Sequence, residues 1–224
     1  MINLPTDRSQ LDRKGIFQTF SGDGNVIADE RWRIRPILDR GVRLDTDTVR
    51  IAPFIESRSE SVAIELNAHL RPRRVSIHAL AGRRESRIDL APPYADVCWR
   101  LDDASKTRQF GWAEDCEIGY NSPLFSTVTL WNLHEDQNVP GRRQVLCLDA
   151  VTFEPSLAIL LYTNLGTEEH ETRFGLMKLT HFRIDNHAHT ADTSHFWCDH
   201  MGVIFDFVTS SGSGYKLVAV NFAV

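Results

Sequence analysis

Val62-Ala63-Ile64-Glu65-Leu66-Asn67-Ala68-His69-Leu70 decides the fold of this chain. Every second residue from Val62 to Leu70 is apolar, with Glu65, Asn67 and His69 between them, and a period of two describes a strand with one dry face. Arg71-Pro72-Arg73 interrupts the run, because proline has no backbone N–H to give to a sheet. Val75, Ile77 and Ala79 then alternate with Ser76 and His78 up to Ala81-Gly82, so two neighbouring antiparallel strands are expected. Working outward, Trp32 to Leu38 and Val49 to Ile55 are shorter segments that carry Pro36 and Pro53, which fit rim strands. Downstream, residues 127–133, 145–153, 157–162, 174–184, 201–208 and 215–224 are further runs rich in Val, Ile, Thr and aromatics. Ser210-Ser211-Gly212-Ser213-Gly214 reads as the turn of the last hairpin.

Helical periodicity is weak. One or two short helices are expected, around Pro5 to Arg13 and at Glu154 to Leu160, where Pro155 suits a first turn. No linker divides the chain, so residues 1–224 are read as a single β domain with residues 1–20 as an N-terminal extension. About ten strands in a flat sheet would leave long edges and a bare apolar face, so the expected architecture is all-β: an antiparallel β-roll, half-barrel or barrel. Its interior is then the natural functional site.

Composition narrows the function classes. At 224 residues, with 42% hydrophobic and 25% charged residues, the chain can bury a core and is neither disordered nor collagen-like. Net charge is −5, yet residues 1–100 hold 17 Lys and Arg against 14 Asp and Glu, and the remainder hold 8 against 16. The arginines of the basic half are interleaved with acids, as in Arg83-Arg84-Glu85-Ser86-Arg87, so no nucleic-acid partner is expected. No apolar run has the roughly 20 residues of a membrane-spanning helix. Met1 to Gly15 has no apolar leader segment, and a cytoplasmic location is expected. Cys98, Cys116, Cys147 and Cys198 form no C-x-x-C pair and read as free thiols.

Five of the nine histidines fall in HFRIDNHAHTADTSHFWCDH, residues 181–200. His187 and His189, two apart on a strand, would share a face and could hold one divalent metal with His195 or His200. A cupin-like set fails at its third ligand, since Thr193 and Ser194 stand where a glutamate is required, and a solvated polar loop is the plainer reading. There is no G-x-S-x-G elbow. Cys198 reads as a buried thiol, and the acid pairs Asp102-Asp103, Glu114-Asp115 and Glu168-Glu169 read as solvated turns. No catalytic residue and no cofactor is assigned. Aromatic residues say more. Trp112, Trp131, Tyr162 and Trp197 lie among many Phe in the second half, and a rolled sheet would turn them toward one lining as candidate ligand contacts.

From Leu148-Asp149, through Tyr162-Thr163-Asn164-Leu165, to Asp199, Gly202-Val203 and Asp206, the last third of the chain resembles the glycolipid-binding family of spiral β-rolls. The resemblance implies an antiparallel roll and a lipid-like ligand. The chain lacks that family's proline before the Thr-Asn pair and the basic stretch after it. The expected function is non-enzymatic binding of a lipophilic or amphipathic small molecule, with His187 and His189 orienting its head group. Two alternatives remain open: a metal-dependent enzyme using residues 181–200, and an interaction module that pairs with another subunit, as in a homodimer, through a sheet edge shaped by its proline-bearing rim strands with Arg83, Arg84 and Arg87.

Overall fold

The computed structural model describes residues 11–50, 59–79, 84–113, 116–133, 141–186 and 193–222. The described strands are β1 (Arg13–Phe20), β2 (Val26–Pro36), β3 (Val42–Arg50), β4 (Ser59–Leu66), β5 (Pro72–Ala79), β6 (Arg84–Ala91), β7 (Tyr94–Leu101), β8 (Ala104–Gly111), β9 (Glu117–Gly119), β10 (Gly141–Leu148), β11 (Pro155–Thr172), β12 (Gly175–Asn186), β13 (Thr193–Cys198), β14 (Ile204–Thr209) and β15 (Gly214–Phe222). They form one sheet in the order β8 to β1, then β15 to β9, so the chain is a meander whose first and last strands pair in the middle. All neighbours are antiparallel except β9 and β10. The sheet is open, with β8 and β9 as its edges.

The stretch that opened the sequence reading is β4, whose Glu60, Val62, Ile64 and Leu66 are buried while the residues between them are half-exposed. The strand stops at Leu66, earlier than the alternation implies. Asn67 ends it: its side-chain carbonyl accepts from the His69 and Arg71 N–H groups at 2.9 and 3.1 Å, and Leu70 adopts a φ of 60°. Leu70 still reaches the core, so its apolar character records burial in a turn.

Several sequence expectations change. Fifteen described strands replace about ten, and the sheet is not closed. Residues 13–20, read as part of an extension, form β1 at the sheet's centre. β2 is likewise central and not a rim strand; Pro36 is tolerated because it is the final paired residue, opposite Val42. Pro53 lies outside the described residues. Residues 155–160, read as helical, belong to β11, where Pro155 opens the strand opposite Leu148.

The described α-helix, α1 (Pro123–Asn132), covers most of a segment read as a strand. Thr127, Val128, Thr129 and Trp131 have β-type preferences, but tertiary burial outweighs propensity. Ser122 caps the helix, Pro123 opens it, and all but Ser126 and Trp131 are buried. The sheet is therefore wrapped around α1. Leu124, Phe125 and Val128 pack in a core with Ile64, Ile77 and Ile88, whereas Leu130 packs with Tyr162, Phe182 and Phe196 on another side. Side chains tie the two halves of the sheet together where backbone pairing does not: Tyr120 donates to Glu60 at 2.9 Å, Asn132 to the Leu70 carbonyl at 3.1 Å, and Arg84 to the Val151 carbonyl.

Candidate functional site

Inside the roll, between α1 and the strands from β9 to β15, is a cavity of about 410 Å³. Its apolar wall includes Ile118, Phe125, Val145, Leu160, Ile184 and Phe207. Three phenols, Tyr120, Tyr162 and Tyr215, stand among them, with Asn121, Ser126 and Ser194 adding neutral polar groups. Tyr215 and Phe207 come from paired strands and stack with ring centroids 4.5 Å apart. The volume lies within the range of small-molecule sites, roughly 300–1,000 Å³.

Burial pushes all three phenols well above the usual tyrosine range, and a carboxylate near each adds to the effect: Glu60 for Tyr120, Glu117 for Tyr162 and Glu30 for Tyr215. These glutamates are themselves buried. Glu60 pairs with Arg50 at 3.3 Å, and Glu117 faces Arg71 at 3.8 Å. Glu30 accepts from the Ser122 hydroxyl at 2.7 Å and from Thr48 at 3.3 Å, and burial raises its pKa to about 7. The Cys147 thiol in the cavity wall is raised by burial and so is not activated as a nucleophile.

The sequence-predicted site residues fall in different places. Tyr162 lines the cavity. Trp112 is buried in the core, and Trp131 is half-buried against it, donating its indole N–H to the Met201 carbonyl at 2.8 Å. Trp197 points away from the cavity, because its neighbour Phe196 is the inward residue of β13 and successive residues face opposite sides. His187 and His189 lie outside the described residues.

On the outer face Trp197 is stacked between His170 and His181, at 4.3 and 4.4 Å. Its indole N–H donates to Glu168 at 2.6 Å, His181 bonds His195 at 2.9 Å, and His170 bonds Asp206 at 3.0 Å. A bulge makes this possible. Gly166, at φ 100°, shifts the β11–β12 register, so Tyr162 faces inward while Glu168 and His170 face outward. Among the described residues no group of three or more His, Cys, Asp or Glu side chains is arranged to hold a metal ion.

Sequence reasoning missed Tyr120, Phe125 and Tyr215. The signal for the first two was Ser122-Pro123, an N-cap followed by a first-turn proline, which marks a helix start. Tyr215 shows no signal beyond its place in an alternating strand.

The structure is thus an all-β protein whose single, largely antiparallel and open sheet wraps one helix and leaves an apolar cavity bearing phenols and amides. Residues 48–198 match the family described as "Putative glycolipid-binding", and the chain belongs to that family. The match covers far more than the last third that carried the resemblance in sequence. Two solved structures are similar in fold. A β-barrel-like protein of a domain of unknown function from Brucella abortus is 9% identical over 100% of both chains, with a TM-score of 0.66. A DUF1089-family protein from Pseudomonas aeruginosa is 15% identical over 80% of this chain and 88% of its own, with a TM-score of 0.55. No curated protein matches the chain.

Proposed function

We propose that this protein is a non-enzymatic binding protein that takes the apolar part of a lipophilic or amphipathic small molecule into the cavity beside α1. The observation that carries this reading is the cavity itself: about 410 Å³ of space walled by Phe, Ile, Leu and Val inside a sheet that would otherwise close on its helix. Membership of a glycolipid-binding family supports a ligand of this class. Burying about 300 Å² of ligand apolar surface at roughly 25 cal/mol per Å² is worth about 7–8 kcal/mol before the entropic cost of association. Such a site works without a reacting group.

The test is displacement of a neutral fluorescent probe, N-phenyl-1-naphthylamine, measured together with native mass spectrometry. Wild-type protein binds the probe, and Ser194→Trp, which fills the cavity from β13, weakens binding at least tenfold while thermal unfolding stays cooperative. Equal probe binding by both proteins would remove the cavity as the site.

A further inference from the structure

The cavity differs from the concavities on the outer face of the sheet in its charge. A groove of about 640 Å³ over β1 to β3 is lined by Lys14, Arg31, Arg33 and Arg35 with Asp45 and Asp47. Another, over β3 to β5, is lined by Arg35, Arg43 and Arg74 with Asp45, Asp47 and Glu65. The 18 described residues that line the interior cavity include no Asp, Glu, Lys, Arg or His, although charged residues make up 25% of the chain. Its polar groups are hydroxyls of Tyr, Ser and Thr and the amides of Asn121 and Asn186.

The charges nearest the wall are set behind it, and they are the wrong ones for an anion. Glu60 accepts the Tyr120 hydroxyl at 2.9 Å, Glu30 stands close to Tyr215, and Glu117 close to Tyr162. None of the neighbouring arginines is among the described residues that line the cavity. Arg50 pairs with Glu60 at 3.3 Å, Arg84 donates to the Val151 carbonyl, and Arg143 donates to the Asn132 carbonyl at 3.3 Å. A carboxylate or phosphate entering this space would lose its water with no counter-ion among the described residues and with carboxylates behind three of the wall's phenols. A hydroxylated, uncharged head loses less, because hydroxyls and amides both donate and accept.

We infer that the cavity selects by charge, accepting amphiphiles whose head is uncharged and hydroxylated and rejecting those with an anionic head, such as fatty acids and alkyl phosphates. This rests on the reading of the cavity as the binding site and adds its ligand class. The specificity is largely a matter of what is withheld: an unpaired buried charge discriminates more strongly than one additional contact attracts.

The experiment compares decyl glucoside, decanoate and decyl phosphate, all below their micelle concentrations, as competitors of N-phenyl-1-naphthylamine at pH 8. Decyl glucoside should displace the probe at a concentration at least tenfold lower than either anion. Ser194→Lys, which puts one cation at the wall, should bring decanoate and decyl phosphate to within about threefold of the glucoside. If both anions compete as well as the glucoside against wild type, selection by charge is overturned while the binding site stands. If the probe itself does not bind, the cavity reading falls and this inference with it.

Discussion

The Ser122 hydroxyl donates to the buried Glu30 carboxylate at 2.7 Å, and the same oxygen accepts from the Leu124 N–H at 3.4 Å. One side chain thus caps α1 and anchors it to β2, two elements far apart in the chain. The interior helix is seated on the sheet by this contact, and Tyr120, two residues before the cap, is fixed to β4 through Glu60.

Ser122→Ala removes the cap and leaves Glu30 with one fewer donor. Loss of an N-cap costs about 1 kcal/mol, and an unsatisfied buried polar group about 1–3 kcal/mol. Urea unfolding should show a loss of about 2–4 kcal/mol, while Ser122→Thr, which keeps the hydroxyl, should lose less than half of that. Equal losses in the two variants would show that packing, not the shared hydroxyl, seats the helix.

Glu30 also makes stability depend on pH. Burial raises its pKa from 4.5 to about 7 in the folded protein, so between those values the native state holds a proton that the unfolded chain has released. Its contribution is therefore complete below about pH 4.5 and is lost as pH rises through 7. A shift of this size corresponds to about 3 kcal/mol. Glu30→Gln cannot ionise. The difference in unfolding free energy between wild type and this variant should change steadily from pH 4.5 to 7 in the variant's favour, then level off. A difference that stays flat across that interval would contradict a carboxyl group held protonated by burial.

How far the fold could be read from sequence follows from how local each signal is. β4 and β5 were legible because alternation is a property of adjacent residues, and the sheet they imply is the one present. The centrality of β1 was not legible, since it depends on pairing with β15 at the other end of the chain. α1 was misread because its Thr and Val favour strands, and only burial inside the roll makes them helical. The site divides in the same way. Tyr162 was picked out as an aromatic in an alternating strand, whereas the facing of Trp197 could be decided only by the register of β13 against β12 and β14. The polar carriers of the cavity's character, Glu30 and Glu60, give no local signal. They matter because Tyr120 and the helix cap Ser122, about sixty and ninety residues away in the chain, bond to them.

Trp197 supplies a control for the binding site. It stacks between His170 and His181 on the outer face, so Trp197→Ala should lower thermal stability by breaking that stack and the bond to Glu168. Loss of a half-buried tryptophan in such a stack should cost about 2–3 kcal/mol. Probe affinity should remain within twofold of wild type once unfolding is corrected for. A tenfold loss of affinity in the folded variant would mean that the outer face takes part in binding.

The two edges of the open sheet carry features that oppose pairing with a second copy. β9 is three residues long, too short to template another strand. β8 is eight residues long and exposed along nearly all of its length. Lys106 and Arg108 lie opposite the buried Trp99 and Val97 of β7, so both charges stand on the inward face, where the sheet would otherwise continue its apolar lining. Arg108 is further held over the Phe110 ring at 4.8 Å. A strand from a second molecule could pair with β8 only by burying these two cations. Replacing both, as Lys106→Val with Arg108→Val, extends the alternating apolar pattern to the edge and should produce concentration-dependent association in sedimentation velocity, beginning in the micromolar range. Restoring either Lys106 or Arg108 alone should reverse it. If the double variant sediments like the wild type at every concentration, the charges are not what guards the edge.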